Sequence, residues 1–98
     1  MVNSFHIIEQ SFIVVQRREG FEKVYQVGND LRKAMCYQKA LIASDNVTDE
    51  LLLMVRGMIK EEEIEAVIKN LNAVGRDRIA NDEEEVYIIA FPARENLR

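Results

Sequence analysis

A chain of 98 residues is the usual size of one domain, so residues 1–98 are read as a single domain with one small core and little room for a deep cleft. Hydrophobic residues at 48% and charged residues at 31% exclude a disordered chain, and one proline with four glycines excludes collagen-like or low-complexity organisation. The net charge of −4 lies entirely in residues 50–98, where eleven acidic side chains meet seven basic ones; this weighs against nonspecific nucleic-acid binding, which needs a cationic field.

From the N-terminus, MVNSFHIIEQSFIVV has neither a basic start nor a small-residue cleavage site, so it is not read as a signal peptide. Phe5 to Ile8 belong to the strand that follows or to one before it. SFIVVQ, 11–16, is a continuous β-branched run that fits a buried strand. Arg17-Arg18-Glu19-Gly20 supplies turn chemistry, and FEKVYQV, 21–27, completes a hairpin. Phe21, Val24, Tyr25 and Gly28 also fit a helical spacing, which leaves a mostly α protein, helical over 5–27, as the alternative.

Gly28-Asn29-Asp30 breaks the chain and offers an N-cap. Leu31, Met35, Gln38, Leu41 and Ile42 then predict a helix over 30–43. After a loop at 44–46, Asn46 or Thr48 can cap a second helix over 48–58, with Asp49 and Glu50 in its first turn and Leu51, Leu52, Val55, Met58 and Ile59 on one broad face. Ile64, Val67, Ile68, Leu71 and Val74 give the cleanest amphipathic pattern, a helix over 61–74 that stops at Gly75. The two helices are either separate or one unbroken helix from 48 to 74. Residues 76–85 read as a polar connector. VYIIAF, 86–91, is a strand that Pro92 ends, and the tail ARENLR is expected to fray.

Placing 86–91 beside 11–16 gives an α+β domain: a small antiparallel sheet of about three strands (11–16, 21–27, 86–91) with three helices on one face.

Little in this chain reads as chemistry. Adjacent residues of a helix diverge by about 100°, so Glu61, Glu62 and Glu63 cannot converge on one ion and read as first-turn carboxylates. Only an approach of the second acidic run, 82–85, would build a joint patch for a metal or a cationic partner; no metal site is assigned. His6, the one histidine, would need Ser4, Ser11 or Ser44 for a triad, and none of these stands in a nucleophile elbow. Cys36 forbids an intrachain disulfide and suits a reducing, cytoplasmic compartment. Arg32, Lys33 and Lys39 give it cationic neighbours, but a small buried cysteine is the plainer reading. Gly20, Gly28, Gly57 and Gly75 are too far apart for a phosphate-binding loop, so neither a cofactor nor a catalytic residue is assigned.

Two surfaces remain. Arg17, Arg18, Lys23, Arg32 and Lys33, with Lys39, Tyr25 and Tyr37, could face nucleic acid, although Glu19, Glu22 and Asp30 are interspersed as on any solvated surface. The apolar run Leu51–Val55, five residues and far short of the roughly 20 that span a bilayer, is oily on every side of a helix. A chain this short can scarcely surround it. Leu51, Leu52, Met54, Val55 and Met58 are therefore expected to meet a second copy or a partner protein, with methionines suiting an adaptable contact. The competing reading is a central core helix under the sheet. The expectation is a non-enzymatic regulator, inhibitor or adaptor that self-associates. A nucleic-acid-binding regulator is the alternative, and a small enzyme with a site at an oligomer interface comes third.

Overall fold

The structure, a computed structural model, describes residues 10–44 and 46–91; the expectations for Ser4, for Phe5 to Ile8 with His6, and for Pro92 and the tail lie outside the described residues. The described elements follow the order β1 (Ser11–Arg18), β2 (Phe21–Gly28), α1 (Leu31–Ala43), α2 (Asp49–Met58), α3 (Glu61–Val74), β3 (Arg76–Ala80) and β4 (Glu84–Phe91). The class is α+β, with a four-stranded antiparallel sheet in the order β2-β1-β4-β3.

The two most apolar strands take the centre. Val14 of β1 pairs with Ile88 of β4 and Gln16 with Val86, and these positions point into the core. The intervening residues point the other way, Val15 opposite Tyr87 and Ile13 opposite Ile89. At a register shift between Phe12, which pairs with Gly28, and Ile13, which pairs with Gln26, Val27 is left without an opposite residue and is buried in the core.

One strand was not expected. The polar stretch Arg76–Ala80 is the edge strand β3, inside what the sequence suggests is a connector. Its alternation is genuine, but its inward positions are Asp77 and Ile79, and an inward aspartate hides the hydrophobic period. Asp77 is buried because it has partners: Asn70 Nδ2 donates to its Oδ1 at 2.6 Å and Gln38 Nε2 to its Oδ2 at 3.2 Å.

The helices are placed by their buried faces. α1 starts at Asp30, whose Oδ1 accepts from the N–H of Lys33, and lies across β1, β4 and β3. It is buried around most of its girth, through Ala34, Met35, Cys36, Gln38, Ala40 and Leu41, because α2 packs on its far side. The central position thus belongs to α1. Small residues at 34, 36 and 40 leave room for neighbours to approach. α3 is separate from α2, packs beside β3, and ends at Gly75, which takes φ 81°, a left-handed conformation that a β-carbon disfavours. Its three first-turn glutamates serve its start: Glu63 accepts from the N–H of Lys60 at 3.0 Å and pairs with Lys39 at 2.9 Å, while Glu61 pairs with Arg32 at 2.9 Å.

Candidate interaction surface on the second helix

α2 begins at Thr48, whose Oγ1 accepts from the N–H of Leu51 at 3.1 Å. Asp49 and Glu50 lie in its first turn and Arg56 in its last, each at the end the helix dipole favours. Successive side chains turn by about 100°, so the run from Leu51 to Val55 cannot share one face. Val55 and the following Ile59 are buried in the core, and Leu51 and Leu52 pack against it half-buried. Leu53, Met54 and Met58 face outward, 72%, 59% and 66% exposed. With Glu50 and Gly57 they form one stripe at the spacing i, i+3, i+4, i+7 and i+8.

The five residues expected at an interface are therefore divided. Met54 and Met58 are presented to the outside, Val55 belongs to the chain's own core, and Leu51 and Leu52 lie between. Leu53, the most exposed of the large apolar side chains among the described residues, was not among the five. A helical wheel anchored on Val55 and Ile59 as inward positions would have found it.

Beside the stripe, α1 and α2 enclose a groove of about 220 Å³ lined by Lys33, Cys36, Tyr37, Asp49, Leu52, Leu53 and Arg56. Cys36 is buried at its floor. Burial pushes its thiol above the ordinary range, which the nearby Arg56 guanidinium opposes without reversing. Arg56 reaches Asp30 at 3.5 Å, tying α2 to the start of α1.

The basic residues of the first half do not form one patch. Arg17 and Arg18 are neighbours on β1 and project to opposite sides of the sheet. Arg17 pairs with Glu22 at 2.9 Å and lies over the Tyr87 ring, and Arg18 lies 3.8 Å from Glu84 and over Phe21. Lys23 covers Tyr25, Arg32 is held by Glu61, and Lys33 lines the groove. On the helix-free face, Arg17 and Arg76 both stack on Tyr87, while Arg78 pairs with Glu85 at 2.6 Å.

No family model, curated protein or solved structure matches the chain.

Among the described residues, no helix is long and apolar enough to cross a membrane. The stripe on α2 presents three large apolar side chains on a capped helix. Burying each would contribute roughly 1–2 kcal/mol, scaled from full burial to the exposure that remains.

Proposed function

We propose that the protein is a non-enzymatic interaction module, a regulator, inhibitor or adaptor, that engages another polypeptide through the outward stripe of α2. The observation that carries this reading is the exposure of Leu53, Met54 and Met58 together on one helix whose opposite face is anchored in the core. Apolar side chains grouped this way are costly to leave in water and mark contact surfaces more often than scattered ones do. Flexible thioethers at 54 and 58 would let the surface adapt to its partner. The buried, unpaired thiol of Cys36 suits the reducing interior of a cell, so the proposed setting is cytoplasmic.

Site-specific photo-crosslinking tests the reading. A benzophenone side chain is placed at Met54, and separately at the exposed Asn72 of α3 as a control. Illumination of the purified protein and of extract from its native cells should give discrete covalent adducts from position 54 and not from position 72. Equal, diffuse labelling from both positions would overturn the assignment of α2 as the contact surface.

A further inference from the structure

We infer that the polypeptide bound by this stripe is a second copy of the chain, docked with the two α2 helices antiparallel so that Leu53 and Met54 of each copy sit against Gly57 of the other. This rests on the reading of α2 as a contact surface and names its occupant.

Gly57 stands in the outward stripe of α2. Glycine weakens a helix interior, and a structure usually retains one for a positive φ or for crowding at the β-carbon. Neither applies within the protomer. Gly57 lies in the last turn of α2, one residue before its end at Met58, is not among the positive-φ glycines, and has open space where a β-carbon would stand. Alanine would fit there and strengthen the helix. The notch faces outward, in the stripe and one turn from Leu53 and Met54. One short helix thus carries both a gap and the knobs to fill such a gap.

A two-fold contact needs a surface complementary to itself, whereas an unrelated partner does not. Antiparallel docking supplies that complementarity twice. It brings the large side chains at 53 and 54 over the glycine of the facing helix, allowing close approach. It also sets the exposed Glu50 in the first turn of each helix alongside the exposed Lys60 just past the end of the other. A parallel pair would oppose like charges and like dipole ends.

The size of the contact bounds its strength. Ten residues of helix are about 15 Å long, so the buried area falls at the low end for protein pairs and the dimer is weak and concentration-dependent.

Sedimentation equilibrium tests this on the purified chain. The weight-average mass should rise from 11.4 kDa toward twice that value with concentration. Gly57→Ala should raise the thermal midpoint by roughly 2–5 °C while weakening association by about tenfold, because the methyl that helps the helix fills the notch. Glu50→Lys should also weaken association, and Lys60→Glu added to it should restore it in part. A mass that stays at 11.4 kDa at every soluble concentration, or association that Gly57→Ala leaves unchanged, overturns the dimer. Adducts from position 54 that contain only a different protein would also overturn the dimer, yet leave the contact surface standing; absence of adducts above the position-72 control removes both.

Discussion

Gln38 of α1 and Asp77 of β3 meet in the interior although 39 residues separate them: Gln38 Nε2 lies 3.2 Å from Asp77 Oδ2 and 3.3 Å from the Asp77 carbonyl. The same amide lies 3.1 Å from the carbonyl of Val86 on β4. One buried side chain thus ties the central helix to an edge strand and to its neighbour. Gln38→Leu keeps the volume but leaves two carbonyls and a carboxylate short of a donor. The expected loss is about 2–3 kcal/mol, a fall in thermal midpoint of roughly 10 °C or more. A fall under about 2 °C in thermal denaturation would mean that water replaces the amide and that the network does not hold β3 in place.

Thr48 controls the start of the helix that carries the contact stripe. Thr48→Ala removes the acceptor for the Leu51 N–H and should cost about 1 kcal/mol. Hydrogen exchange should quicken at the first amides of α2, 50–52, more than at those of α1. Uniform quickening across both helices would show that α2 does not open by itself.

Glu63 makes stability depend on pH in the acid range. The Lys60 N–H, then the Lys39 ammonium, hold its carboxyl below the ordinary glutamate range. The folded state therefore binds this proton less readily than the unfolded chain. The contribution is complete above the unfolded value and is lost as pH falls through the depressed folded one. Glu63→Gln keeps an acceptor for the cap but removes the charge facing Lys39. Denaturant titrations should show the difference between wild type and variant at neutral pH and its disappearance in acid; a difference that persists undiminished in acid would assign the effect to packing.

Cys36 should behave as a structural thiol. Burial and the raised thiol pKa both lower the reactive thiolate at the surface. Reaction with a thiol-exchange dye should be at least about a hundredfold slower in the native protein than in denaturant, the protection that about 2.7 kcal/mol of opening free energy gives. Comparable rates in the two states would place the thiol in an open groove instead.

Much of this architecture is written locally. The β-branched run of β1, the apolar run of β4 and the i, i+3, i+4 stripe of α3 with its terminal glycine are patterns whose period the backbone itself imposes. They are readable because burial on one side repeats with that period. β3 was not readable, because its inward residue is an aspartate whose burial is tolerable only with Gln38 and Asn70 in place, and no local pattern announces partners supplied by two helices. The stripe on α2 was half legible: the surplus of apolar residues was evident, but not the division that sends Val55 inward and Leu53 outward.

The sequence by itself determined the periods, the caps and the excess of apolar side chains on 51–58, since these depend on neighbours within a few residues. Only the tertiary structure decided that α1 lies enclosed between the sheet and α2, leaving α2 on the outside. That choice turns on which helix can be approached from both sides. Ala34, Cys36 and Ala40 let α1 be covered, whereas the larger Leu53, Met54 and Met58 are left facing water.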